Sequence, residues 1–401
     1  MLSLLAGAVL SHLTLNPPIF GESHRFELPI GATLNQDTGR LRTILPNGAV
    51  IWVEHVPRAE RLIVQLFISS RSLPNDSLTS GRRHLLEHLT ALGSHLNLDQ
   101  TLEAQGAFLT AETLRDATMY QICLRPSDLS TALDAVRSLM QLGEVTPSQI
   151  VNETEIIRQE IALDSGSREL SRVAWKIAFG DYGADPLGDP KEIALTTPSD
   201  LAALHKQEFA GSNLTMTISG DVDLDAATAD AKSVLALAPS IPQPVLAPRK
   251  FLGGGVSSTQ VEGEALAAYV DSWNSPKTSA RLAAALCIAA GVKDSFVTYT
   301  PSLMGSLIVV GRTGESSGLD KLVASLNVNS GFALGRSLAK SWVDKQQSVQ
   351  DGAILTGLLL SEGAGQRANT ALENLDQMTP SEFGAALNAF RSSETVHVIG
   401  Q

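Results

Sequence analysis

Cysteine is nearly absent: Cys123 and Cys287 are the two thiols among 401 residues, far apart and each in apolar surroundings. That excludes a disulfide framework and a thiolate metal site, and leaves both as small buried hydrophobes. Basic runs are missing too, none being longer than two residues, and the formal net charge is −12. Without a basic face the chain is not built to hold phosphate backbones, so nucleic acid is not its main partner. No internal apolar run approaches the roughly 18 residues that a spanning helix needs, and no integral membrane span is expected. What is present is ordinary globular material, with an apolar fraction of 43% in a chain long enough for two or three domains.

The opening, MLSLLAGAVLSHLTLNPP, is apolar and carries no Lys or Arg. Residues 1–28 are set apart as a leader or extension, either an export signal whose basic start lies upstream or an apolar segment that packs on the next domain. The compartment, exported and periplasmic or cytoplasmic, follows whichever holds. Beyond it, RLRTILPNGAVIWVEHV and RLIVQLFISSRS read as strands, with an Asn47-Gly48 turn in the first. GRRHLLEHLTALG reads as a helix and LTAETLRDATMYQICLR as a pair of strands. SDLSTALDAVRSLMQLG is a helix capped by Ser127, and TPSQIVNETEIIRQEIALD a long amphipathic helix opened by Thr-Pro. Two more helices, a strand in NLTMTISGDV and a helix over 225–237 complete a domain at 29–238.

APSIPQPVLAPRKFLGGG, four prolines followed by three glycines, marks a linker at 239–256. The remainder, 257–401, repeats the strand and helix alternation in shorter form. TPSDLAALHKQEFAGSNLTMTISG and TPSEFGAALNAFRSSETVHVIG both run Thr-Pro-Ser-acid, helix, polar turn, strand and glycine, which points to two related domains. The fold class expected is α+β, each domain an antiparallel sheet covered by helices and the second domain the shorter.

Within GRRHLLEHLTALG, Leu85, Leu89 and Leu92 recur at the spacing of a core-facing helix stripe, and His84, Glu87 and His88 fall on a neighbouring stripe. An unpaired carboxylate buried beside Leu85, Leu86 and Leu89 is costly, and a divalent cation resolves the conflict. Two neutral imidazoles four residues apart on a helix make a zinc ligand pair, with the glutamate between them free to act on water. H-x-x-E-H is the inverted form of the better-known zinc-peptidase motif. Catalytic zinc takes a third protein ligand. In NETEIIRQEIALD, Glu153 and Glu160 are seven apart and share a helix face, while Glu155 points to the opposite side. Periodicity leaves the choice between Glu153 and Glu160 open. His55, His95 and His205 read as surface or structural groups.

The order His84-Leu-Leu-Glu-His88, then Glu160 in a helix of form E-x(6)-E, resembles the pitrilysin/insulinase family of zinc metallopeptidases, which includes the mitochondrial processing peptidases. LPNGAVIWVEH, GAFLTAETLRDATMY, FGDYGADPLGDPKEI and LTMTISGDVD carry the likeness over nearly the whole first half. The resemblance implies that His84, His88 and Glu160 hold one zinc ion per chain, that Glu87 is the general base, and that Glu153 is a second acidic group supporting the site. It implies a half-clamshell endopeptidase acting on peptides or unfolded protein segments, the substrate adding as a strand along Leu109, Thr110 and Ala111. The family usually has Asn-Ala where this chain has Thr110-Ala111. Tyr299 is the substrate contact expected from the second domain, where no matching arginine is found. A homodimer, or a pair with a companion subunit, is the expected assembly. The alternative is a non-catalytic relative that keeps the shell for peptide binding or assembly.

Overall fold

Two six-stranded sheets organise the chain in a computed structural model that describes residues 13–14, 39–70, 77–93, 97–163, 166–242, 248–314, 318–347, 354–362, 370–392 and 394–400. The segment at 1–28 lies outside the described residues except for Leu13–Thr14, and His95 lies outside them too. The strands are β1 (Leu13–Thr14), β2 (Arg40–Ile44), β3 (Val50–His55), β4 (Leu62–Ser69), β5 (Phe108–Thr113), β6 (Ala117–Leu124), β7 (Leu214–Gly220), β8 (Gly255–Thr259), β9 (Gly263–Val270), β10 (Ser295–Tyr299), β11 (Ser306–Thr313) and β12 (Val396–Gly400). The first sheet runs β2-β3-β7-β4-β6-β5 and the second β1-β10-β11-β9-β12-β8.

Without β2 and β1 the two sheets have one topology. Each five-stranded unit places its first strand beside its last, then its second, fourth and third. The Thr-Pro-Ser-acid segments precede the final strand of each unit. Thr197 with Asp200, and Thr379 with Glu382, form reciprocal capping boxes at the starts of helices Pro198–Glu208 and Pro380–Ala389. The α+β class and the relation between halves read from the sequence are therefore present. The sheets are mixed rather than wholly antiparallel, because β3 pairs parallel with β7 and β8 parallel with β12. First and last strands of a unit are separated in the chain by its three other strands and several helices, a path long enough for them to meet in the same direction. Ser127 is not the cap it was expected to be. It lies in a 3₁₀ turn and donates to Asp128, which precedes helix Leu129–Leu139 without a side-chain cap.

β4 is buried along its whole length, LIVQLFIS, because both faces of the sheet are covered. Its single interior polar side chain, Gln65, accepts from Thr217 Oγ1 at 2.8 Å and donates to Gln121 Oε1 at 2.8 Å, so burial leaves it satisfied. Helices exchange between the halves. Helix Gly166–Phe179 packs Leu170, Ala174 and Trp175 on Ala265, Val309 and Val398 of the second sheet. In return, helix Ile354–Ser361 lays Leu358 against Phe67, Ala117 and Met119 of the first. Gly357 makes that approach possible, since a Cβ there would lie 2.0 Å from the Phe67 ring. Between the units, Arg249 ion-pairs with Asp116 in the β5–β6 turn, and its backbone N–H donates to Met304 in the β10–β11 turn. No helix among the described residues is long and apolar enough to cross a membrane.

Candidate metal centre

Helix Ser77–Ala91 follows β4 and carries the H-x-x-E-H segment. Leu85, Leu86 and Leu89 enter the core of the first unit. His84, Glu87 and His88 are only 4%, 5% and 4% exposed, so the three ionisable groups do not form a solvated face. Gly81 and Gly188 let the loop at 187–188 press on this helix. Gly188 has φ +77°, and a Cβ there would lie 2.2 Å from Gly81 Cα. The contact brings the Leu187 carbonyl to 3.3 Å from His84 Nδ1.

Helix Pro147–Leu163 supplies the carboxylates. Glu155 faces outward in a 2.8 Å pair with Arg158, while Glu153 and Glu160 face the motif helix. Glu153 Oε2 lies 3.1 Å from His88 Nδ1. Glu160 Oε2 lies 3.4 Å from Nε2 of both His84 and His88, and those two nitrogens are 3.1 Å apart. A carbonyl and a carboxylate can only accept, so each Nδ1 donates and each Nε2 is the atom turned inward, where a proton or a metal can be held. Four-coordinate zinc with ligands at about 2.0–2.1 Å spaces them about 3.3 Å from one another. The His84, His88 and Glu160 donor atoms already hold that spacing, so the set fits a zinc ion as it stands. They form the one cluster of potential metal ligands among the described residues.

The electrostatics agree. Burial alone would lower the His88 pKa, but hydrogen bonds to Glu153 and Glu160 and the charge of Glu87 push it up to about 10. Burial would raise Glu160, but hydrogen bonds to His84 and His88 hold it near 2. The pocket thus attracts positive charge strongly enough to retain a proton where a cation would sit. Glu87 accepts a 2.8 Å hydrogen bond from Thr113 Oγ1. Burial and the Glu87 charge also raise the Tyr120 phenol, which is hydrogen-bonded with Thr90 Oγ1.

Among its described residues the second unit offers no counterpart. Helix Pro276–Ala290 follows β9 as the motif helix follows β4, but its interior is Leu282, Ala283, Leu286 and Cys287, closed against Gly331 and Gly335.

Leu109, Thr110 and Ala111 lie in β5, which pairs only with β6 and forms the end of the first sheet among the described residues. Tyr299 is elsewhere: its ring packs on Trp273 and Trp342 against the second unit's core. It is half-buried there, packed beside that core. His55 bonds the Val222 carbonyl at 2.9 Å, and His205 stacks on Phe209, its pKa lowered by burial to about 4. The sequence reading missed Thr113 and the Leu187 carbonyl. Thr113 could have been found, being in period-two step with Leu109 and Ala111 on the strand face turned to the helix. A backbone carbonyl in a loop leaves no such signal.

Residues 50–171 match the family model described as Insulinase (Peptidase family M16), an interval holding both histidines and the three glutamates. An uncharacterised zinc protease of Mycobacterium leprae is 26% identical over 198 residues, 47% of this chain and 44% of that protein. The mitochondrial-processing peptidase subunit beta of Saccharomyces cerevisiae is 26% identical over 203 residues, 47% of this chain and 43% of its own. The matched region thus spans less than half the length of these curated relatives. Among solved structures, a protease from Helicobacter pylori aligns with a TM-score of 0.76 at 15% identity, over 90% of this chain and 99% of its own. A peptidase M16 inactive domain from Pseudomonas fluorescens gives 0.73 at 15% identity, over 90% and 97%. Likeness at that identity establishes the fold.

Proposed function

We propose that the chain, whose residues 50–171 match the family model described as Insulinase (Peptidase family M16), is a member of that family and a zinc-dependent endopeptidase hydrolysing peptides or unfolded protein segments. The observation that carries this reading is the convergence of two imidazole nitrogens and one carboxylate oxygen at 3.1–3.4 Å, with Glu87 between the histidines on the same helix. The zinc protease name of the mycobacterial relative supports the choice of metal. When bound, zinc supplies Lewis acidity, polarising a substrate carbonyl and making an attacking water more acidic.

The rest falls to the chain's own residues. His84, His88 and Glu160 are the ligands, and Leu187 and Glu153 fix the two imidazoles by their Nδ1 protons. Thr113 anchors one oxygen of Glu87, leaving the other to take the proton from the attacking water and return it to the departing amine. The free edge of β5 offers backbone groups at Leu109, Thr110 and Ala111 for an extended substrate to pair with. Pairing with a second copy or a companion subunit is part of the proposal, in keeping with the relative named as a subunit.

A second reading, a peptide-binding or assembly shell without activity, is favoured by the neighbour described as an inactive domain. Glu87→Gln separates the two. The variant is expected to bind zinc like the wild type and to lose about 10²–10⁴-fold in peptide cleavage rate, the range of a general base. A zinc-loaded wild type that cleaves no peptide of a broad set, alone or with a companion subunit, would establish the shell.

A further inference from the structure

β5 carries one group that the chemistry above does not use. Leu109 and Ala111 pack on the first unit's core and Thr113 reaches Glu87, so this set faces the motif helix. Side chains alternate along a strand. Glu112 therefore projects from the other face, opposite Met119, whose neighbours are Phe67, Ala117 and Leu358. It is half-buried and next in sequence to the residue that anchors the general base. Among the described residues no hydrogen-bond donor or cation engages its carboxylate. Arg115, the nearest cation along the chain, lies 3.9 Å over the Trp175 ring and donates to the Ala184 carbonyl. Burial and the Glu87 charge push the Glu112 carboxyl up to about 7, as befits an anion short of a counter-charge.

A strand added at the β5 edge sets its side chains on the same two faces as those of β5, with directly opposed Cβ atoms about 4.5–5.5 Å apart. The substrate residue across from Glu112 thus presents its side chain to that carboxylate. We propose that Glu112 selects a basic side chain, Lys or Arg, at one substrate position close to the cleaved bond. This rests on the peptidase reading for the place where the substrate lies. An apolar or acidic residue there leaves the carboxylate without a partner or opposes it with like charge, and discrimination comes from that penalty as much as from the new ion pair.

The test uses the full chain carrying Glu87→Gln, loaded with zinc, and labelled peptides that differ only by Lys, Leu or Glu at one position at a time. Affinities are read by fluorescence anisotropy. At one position the Lys peptide is expected to bind about tenfold more tightly than the Leu peptide. That ratio should fall to near one when Glu112→Gln is added, and the preference should turn to the Glu peptide with Glu112→Arg. A Lys preference that survives Glu112→Gln, or no position with a preference in the parent, overturns the proposal. Cleavage by the chain with Glu87 intact is scored separately. If that chain cuts nothing while the charge preference and its reversal hold, the peptidase reading fails and the assignment of Glu112 stands.

Discussion

On the proposed reading, Glu153 acts on the metal centre through His88, the group it touches. Its carboxylate takes the Nδ1 proton at 3.1 Å, fixing the ring plane and making Nε2 the better ligand. Glu153→Gln keeps the shape and removes the charge, and the expected result is a loss of roughly 10–100-fold in zinc affinity, measured by competition with a chelator, with one ion still bound at saturation. An unchanged affinity would mean that the Glu153 contact is incidental. At this scale the sequence was legible in part. The imidazole pair at i and i+4 defines its own geometry, since one helix carries both. Glu153 and Glu160 share a helix face two turns apart, and no periodicity separates the ligand from its supporter. That depends on how far along the partner helix the histidines fall, which only packing decides.

Two helices crossing between the units set the architecture at the scale of elements. Gly357 illustrates how tightly the exchange is fitted. Replacing a helical glycine by alanine ordinarily gains about 1 kcal/mol in propensity. Here the added methyl would meet the fully buried Phe67 ring at 2.0 Å, and overpacking of that kind costs roughly 1–3 kcal/mol, so the clash wins. Gly357→Ala is expected to lower the denaturation midpoint with the slope unchanged. A raised midpoint would show that this helix docks loosely. Strands and helices themselves were legible, because β4 is a nearly continuous apolar run, β7 alternates apolar residues with Thr and Ser, and the two Thr-Pro-Ser-acid starts announce their caps. The parallel pairs were not, since alternation reveals a strand but not its neighbour. Nor was the exchange of helices. An amphipathic stripe such as Leu170, Ala174 and Ala178 does not record which sheet it will cover.

Over the whole molecule, one five-stranded unit is used twice, and the candidate ligand set is found in one copy among the described residues. In the first copy the helix after the second strand carries His84, Glu87 and His88, and in the second copy the matching helix is filled with alanines and Cys287. Among the described residues the interlocked halves therefore hold one such cluster, beside the β5 edge of the first sheet. The proton on His88 gives that site a signature. Its folded pKa is raised to about 10 from an ordinary 6.5, so the stability it lends the metal-free protein is complete below pH 6.5 and lost as pH rises through about 10. Throughout the neutral range zinc must displace that proton to reach Nε2. Whether His84, His88 and Glu160 hold zinc is decided by calorimetric titration of zinc into the metal-free chain at pH 7, repeated in buffers of different ionisation enthalpy. One ion per chain with release of one proton is expected, and no such binding after His84→Ala or Glu160→Ala. Two ions per chain, or a binding isotherm that survives both substitutions, would contradict that ligand set.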